Sequence, residues 1–275
     1  MAVVDLEIRD SIAVITLNRP ERLNAMDAEM AVRLIDVFEH VRAADELRVA
    51  ILTGAGTKAF CAGGDLDAVI PLMTGARAPE TEWERRWLDI RESDGRKSGG
   101  RKSGGPFKTD IGKPLIAAVN GHAVAGGMEL VMNCDIRVAV PHATFGIPEV
   151  KVGLFPGGGS TVRLRDQIPF AHAMHMLLTG EAISAEEARA YGFVNSLVDP
   201  ALLMDEAMRI ASRIAANGPL AVQAVRNSVR ATLGLPETEA LAVETEFSAR
   251  VHATDDAVEG PRAFLEKRPP VFRGR

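Results

Sequence analysis

Cysteine is scarce in this chain of 275 residues: Cys61 and Cys134 are the only two. Two thiols make no disulfide framework, and neither lies among other metal-ligating residues at ligand spacing. Aromatic residues are few as well, 5% of the chain, with a single tyrosine, Tyr191. No apolar run is long enough to span a bilayer. Positive charge is not in excess, since 32 Lys and Arg face 37 Asp and Glu for a net charge of −5. That balance weighs against nucleic acid or an anionic membrane as partner. The start, MAVVDLEIRD, has neither the basic and apolar regions of a signal peptide nor an Arg-rich amphipathic stretch, and the expectation is a cytoplasmic protein.

What is present is ordinary globular material, 47% hydrophobic and 25% charged, with 25 Gly and 15 Pro. The length suits one large domain or a domain with an appendage. Leu6 and Ile8 alternate with charged residues, Asp10-Ser11 offers a turn, and Ile12, Val14 and Thr16 continue the period of two, which predicts a hairpin. Met30, Leu34, Val37, Phe38 and Val41 then recur at helical spacing behind Asp27, a natural N-cap. Strands are expected at Val49–Thr53, in PLIAAV after Lys113 and in DIRVAV. From about Ala171 the chain reads as largely helical, with Pro219 opening one helix, Val243, Phe247 and Val251 striping another, and Asp255-Asp256 beginning a last one that runs to Lys267.

Residues 66–113 fit this alternation least. An acidic, aromatic patch from Glu80 to Trp87 has helical potential, and the tandem repeat RKSGG-RKSGG follows at 96–105. The repeat is too polar to offset its ordering entropy, so 94–106 is expected to be a surface loop, either simply solvated or gripping phosphate with its basic residues. No dinucleotide-binding G-x-G-x-x-G with its later acidic partner occurs, and PGGGST at 156–161 lacks the lysine of a nucleotide-binding P-loop.

Two loops share a design. In FCAGGD (60–65) and AVAGGMEL (123–130), small residues follow a strand-like run and lead towards a helix. Glycines there either permit tight turns and close packing or let unpaired helix-start N–H groups approach a carbonyl oxygen. Glu129 sits among Met128, Leu130, Val131 and Met132, and Glu149 lies within FGIPEVKVG. Each either points to solvent or pairs with a base such as Lys151, or else is a carboxyl of raised pKa suited to acid–base work. Cys61 and His122 are a conceivable nucleophilic pair, but Cys61 equally suits a small packed thiol.

Six ordered motifs resemble the crotonase (enoyl-CoA hydratase/isomerase) superfamily along the whole chain. They are NRPERLNAM (18–26), LTGAGTKAFCAGGDL (52–66), KPLIAAVNGHAVAGGMELVMNCDIRVA (113–139), TFGIPEVKVGLFPGGGSTVRL (144–164), LLTGEAISAEEARAYGFVN (177–195) and EGPRAFLEKRPPVF (259–272). The resemblance implies an α/β fold, a spiral of ββα units over residues 1–200, followed by a helical region over 201–275 that mediates trimerisation, often as a dimer of trimers. It implies an acyl-CoA thioester substrate, with coenzyme A part of that substrate and no separate cofactor, metal, nucleic acid or membrane. Gly64 and Gly126 match the positions whose N–H groups hold the thioester oxygen. Glu129 and Glu149 match the two glutamates of the hydratases. Arg22, Ala25, Ala62, Gly63 and Asp65 fall in segments that meet the CoA thioester. Phe264 and Lys267 lie in the tail that reaches a neighbouring subunit's CoA site, although Lys267 also suits a plain helix-end charge. The activity implied is addition of water across C2=C3 of an enoyl-CoA. The alternatives are a Δ3-Δ2 isomerase, another enolate-stabilising activity such as crotonobetainyl-CoA hydration, and a non-catalytic RNA-binding relative. Three departures bear on the acyl pocket: the long 66–113 segment, Ala125 where many members carry glycine, and Phe155 and Val162.

Overall fold

The computed structural model describes residues 2–96 and 105–275. The predicted hairpin is β1 (Val4–Arg9) and β2 (Ile12–Leu17), turned at Asp10 in left-handed conformation (φ 54°) and paired in antiparallel register from Val4 with Leu17 to Arg9 with Ile12. α1 (Ala28–Ala43) starts at Asp27, whose carboxylate accepts from the Met30 amide at 2.9 Å. It buries Met30, Leu34, Phe38 and Val41 on one face. β3 (Val49–Gly54) is buried along its whole length, as befits a strand with parallel neighbours on both sides.

Strands then come in pairs: β3 with β4 (Ala59–Cys61), β5 (Leu115–Val119) with β6 (His122–Val124), and β7 (Ile136–Ala139) with β8 (Thr144–Gly146). The first of each pair joins a six-stranded sheet ordered β1-β2-β3-β5-β7-β10, and the second joins a four-stranded sheet ordered β4-β6-β8-β9. Helices α2 (Leu66–Met73) and α3 (Glu82–Arg96) follow β4, and α4 (Gly126–Asn133) follows β6. After β8 come a 3-10 turn at Glu149–Val152, α5 (Ser160–Gln167) and α6 (Phe170–Thr179). β9 (Ile183–Ser184) returns antiparallel to β8, and α7 (Ala185–Ala190) carries the chain to β10 (Ser196–Leu197) beside β7. The result is a mixed α/β spiral of ββα units. Each turn adds one strand to each sheet.

Because β4, β6 and β8 are parallel neighbours, the loops leaving their C-terminal ends lie side by side. Those loops carry residues 62–65, the start of α4, and Glu149. Three stretches distant in sequence are thereby set on one edge of one sheet.

The core lies between the sheets and under the helices, with Phe38, Phe60, Phe145 and Phe193 fully buried. Phe145 and Phe193 meet edge to face, ring centroids 5.5 Å apart. A smaller cluster of Val32, Val69, Leu72 and Trp87 seats α2 and α3 against α1. The 66–113 segment thus contains two packed helices, α3 meeting the helical potential of Glu80 to Trp87, and the expected loop is corrected at both ends: α3 continues to Arg96, and Gly105 and Pro106 are buried. The central part of the expected loop, 97–104, lies outside the described residues.

The remaining chain is α8 (Leu203–Ala215), α9 (Pro219–Thr232), α10 (Glu237–His252) and α11 (Asp255–Leu265). α8 lays Leu203, Ala207 and Ala211 against the six-stranded sheet. α9 is tied to the spiral by Arg226, which binds Asp135 (2.7 Å) and Asp110 (2.8 Å), and by Arg230, which binds Asp135 (2.8 Å). The last helix stops at Leu265, short of the expected Lys267, whose positive φ of 54° breaks the helical path. α10 buries no residue, and Val225, Val229, Leu233, Leu241, Phe264 and Leu265 all stand exposed.

Candidate active site

The 18–26 segment makes a base for the first glycine loop. Asn24 is fully buried with φ 55°, and its amide donates to the carbonyls of Ala55 (3.0 Å) and Ala59 (2.9 Å) while its side-chain oxygen accepts from the Arg19 amide (3.0 Å). Asp65, 5% exposed, holds Arg19 at 3.2 Å and Arg22 at 2.9 Å. Met26 donates to the Gly63 carbonyl (2.7 Å) and accepts from the Asp65 amide (2.8 Å). Ala62 donates to the Leu23 carbonyl at 3.1 Å, and Ala25 is buried beneath. Arg22, Ala25, Ala62, Gly63, Gly64 and Asp65 thus form one hydrogen-bonded unit.

The second loop presses against the first. Gly63 sits at φ 92°, and a Cβ there would lie 2.7 Å from the Ala125 Cβ and 3.1 Å from the Gly126 nitrogen. Only glycine meets both demands. Ala125, whose backbone N–H donates to the Gly146 carbonyl at 2.9 Å, adopts φ 52°, a strained conformation for alanine. That strain sits where the chain departs from glycine. Gly126 is the first residue of α4, so its N–H has no acceptor within the helix. The Gly63–Gly64 peptide and the Gly126 amide are therefore brought together.

Close packing extends beneath. A Cβ on Gly127 would stand 2.0 Å from the Cys61 carbonyl oxygen. Gly127→Ala is expected to force α4 off β4 at a cost of about 1–3 kcal/mol, seen as a lower melting temperature, whereas an unchanged melting temperature would show the contact to be loose. Cys61 itself is fully buried, and burial pushes its thiol up to about 12. His122 is exposed and bonded through Nδ1 to the Thr144 hydroxyl at 2.8 Å. Cys61 is a packed thiol, not half of a nucleophilic pair.

Both glutamates turn inward. Glu129, in the first turn of α4, is 3% exposed, and its Oε1 accepts from the Gly158 amide (2.7 Å), the Ser160 hydroxyl (2.7 Å) and the Ser160 amide (3.3 Å). Burial raises its pKa, and the Ser160 and Gly158 bonds work against that rise. Glu149 opens the 3-10 turn after β8 and, among the described residues, pairs with no base, and its buried Oε2 has no hydrogen-bond partner there. Burial pushes its carboxyl up to about 7, and the nearby charge of Glu129 adds to the rise. One carboxyl accepts from three donors, and the other, with Oε2 unpartnered, has only its own backbone amide in its favour. That asymmetry favours one charged and one neutral acid.

Phe107, Gly158, Ser160 and Arg163 also belong here, and none was singled out from the sequence. The Phe107 ring lies 2.8 Å from where a Gly126 Cβ would be and 2.9 Å from where a Gly158 Cβ would be. The Arg163 guanidinium donates to the Phe107 carbonyl at 2.7 Å. The available signal was the run PGGGST, whose glycines let a loop approach a carboxylate closely. Phe155 and Val162, expected near the pocket, are 75% and 61% exposed in the single chain. Phe264 and Lys267 are exposed on and after α11, and among the described residues no hydrogen bond or ion pair joins them to the glutamates or glycine loops. Surface hollows lined by His172, Glu187 and Tyr191 and by Leu72, Arg77 and Leu88 share no residue with the site.

Comparison with known proteins places this arrangement in a family. The enoyl-CoA hydratase/isomerase family model matches residues 7–95 and 108–275. The chain is 42% identical over 270 residues to enoyl-CoA hydratase EchA19 of Mycobacterium tuberculosis, covering 98% of this chain and 96% of that one. It is 39% identical over 271 residues to (E)-benzylidenesuccinyl-CoA hydratase of Thauera aromatica, covering 98% and 99%. A crystal structure of an enoyl-CoA hydratase from Mycobacterium tuberculosis superposes with a TM-score of 0.86 at 39% identity, covering both chains completely. With two sheets wound as one spiral, two glycine loops abutting and two glutamates facing inward, the chain belongs to the enoyl-CoA hydratase/isomerase family.

Proposed function

We propose that the protein is a hydro-lyase that adds water across the C2=C3 double bond of an enoyl-CoA thioester. The observation that carries this is the inward convergence of two unlike carboxyls beside two abutting glycine loops. When water attacks C3, electron density moves through the conjugated system to the thioester oxygen. The amides of Gly64 and Gly126 receive that oxygen, a stabilisation in which a single donor is worth about 10²–10³ in rate. Glu129 takes a proton from the attacking water as its oxygen bonds to C3, and Glu149 delivers a proton to C2. The pair ends with its single proton exchanged between the two acids, so it resets by proton transfer and needs no cofactor beyond the CoA of the substrate.

An isomerase shuttles one proton between carbons and commonly needs one carboxyl, so two inward glutamates favour hydration. The acidic net charge stands against an RNA-binding role. Arg22, Ala25, Ala62, Gly63 and Asp65 meet the CoA thioester in this proposal, with Phe264 and Lys267 reaching the site of a neighbouring subunit. The exposed apolar side chains of α9 to α11 support residues 201–275 as the region through which a homotrimer, or a dimer of trimers, assembles around spirals formed by residues 1–200. The proposed setting is the cytoplasm. Relatives named for benzylidenesuccinyl-CoA and for carnitinyl-CoA support an acyl group bulkier than crotonyl.

The test is loss of the conjugated-thioester absorbance when the purified protein meets enoyl-CoA esters of graded bulk. Hydration is expected, with kcat/KM falling on the basic side near pH 7 as Glu149 loses its proton. Absorbance that instead grows from 3-enoyl-CoA esters, with no 2-enoyl-CoA consumed, would make the protein an isomerase.

A further inference from the structure

We propose that Ser160 is a positioning residue whose hydroxyl holds Glu129 as the unprotonated partner of the pair, a role that rests on the hydration mechanism above. Ser160 is fully buried, and its Oγ lies 2.7 Å from Glu129 Oε1. The same oxygen accepts from the amides of Gly158 and Ser160, groups that can only donate. Oε1 is therefore an acceptor, and the hydroxyl completes its shell as a third donor. Hydrogen bonds to the ionised form of a carboxyl favour that form. Across the site, Glu149 Oε2 has no donor among the described residues. Burial raises both acids, and at Glu129, the more buried of the two, three donors work against that rise, whereas at Glu149 only its own backbone amide does.

Any residue but proline at position 160 would supply the backbone amide, but a hydroxyl on Cβ is specific to serine or threonine. The other charged groups acting on Glu129 are Glu149, from the turn after β8, and Arg163 of α5, whose charge favours the carboxylate. Cys61 of β4, packed under Gly127, remains a neutral thiol. Arg163 is also bound to the Phe107 carbonyl, leaving Ser160 as the side-chain donor on Oε1.

The experiment is the pH profile of kcat/KM for hydration in Ser160→Ala and Ser160→Thr, with Glu129→Gln as control and melting curves to confirm folding. In Ser160→Ala the acid limb, which reports the pair, is expected to move up by about one pH unit, and kcat near neutrality to fall about tenfold. Ser160→Thr, which keeps the hydroxyl, is expected to return the limb towards wild type. An acid limb that stays in place in Ser160→Ala while Glu129→Gln is inactive would overturn the role of Ser160 and leave the base assignment standing. Wild-type hydration by Glu129→Gln would overturn both.

Discussion

Glu149→Gln is expected to lose about 10²–10⁴-fold in kcat for enoyl-CoA hydration, the range that a positioned proton donor contributes. Glutamine keeps the shape of the side chain but has no proton to give to C2. The same substitution is expected to make the protein more stable at pH 8. A carboxyl at about 7 in the folded chain binds a proton that the unfolded chain, with an ordinary carboxyl at 4.5, has already released. Between those values the native state holds more protons than the unfolded one, so this group lowers stability as pH rises from 4.5 towards 7. Glutamine escapes that loss. The variant should therefore melt higher than wild type at pH 8 and equally with it near pH 4. A variant that is both active and no more stable at pH 8 would remove Glu149 from the site.

Glu129→Gln is expected to cost a similar 10²–10⁴-fold in kcat, because the amide cannot take a proton from water. Its carbonyl can still accept from Gly158 and Ser160, so the fold should survive. The informative change is in its neighbour. With the Glu129 charge gone, one of the influences raising Glu149 disappears, and the Glu149 carboxyl should titrate below its wild-type value of about 7. An infrared titration of the protonated carboxyl band follows this without any substrate. An unmoved Glu149 titration would mean that burial alone sets its proton affinity and that the two acids work independently.

Much of this fold could be read from local patterns. The β1–β2 hairpin follows from alternation about Asp10, and α1 from a 3.6-residue stripe behind Asp27, because each signal is contained within a dozen residues. The glutamates and glycine loops were visible as acids among apolar residues and small residues after strands. Phe107, Ser160 and Arg163 were not, because their value lies in where three parallel strand ends meet, and no local pattern reports a meeting of segments fifty residues apart. The 66–113 segment is legible only in part. The helical potential of Glu80 to Trp87 is met by α3, but α2 carries no local signal, because Val69 and Leu72 are ordered by packing with Trp87 against Val32 of α1. The exposed apolar residues of α9 carry the opposite lesson: a helical stripe of Val225 and Val229 signals a buried face, but their own chain does not cover it.

A crystal structure with a non-hydrating acyl-CoA thioester bound would show where the reacting carbonyl rests. Its oxygen should lie within hydrogen-bond distance of the backbone nitrogens of Gly64 and Gly126, with C2 and C3 between the carboxyls of Glu149 and Glu129. A thioester oxygen held by other groups, or an acyl chain lying away from both acids, would contradict the proposed chemistry.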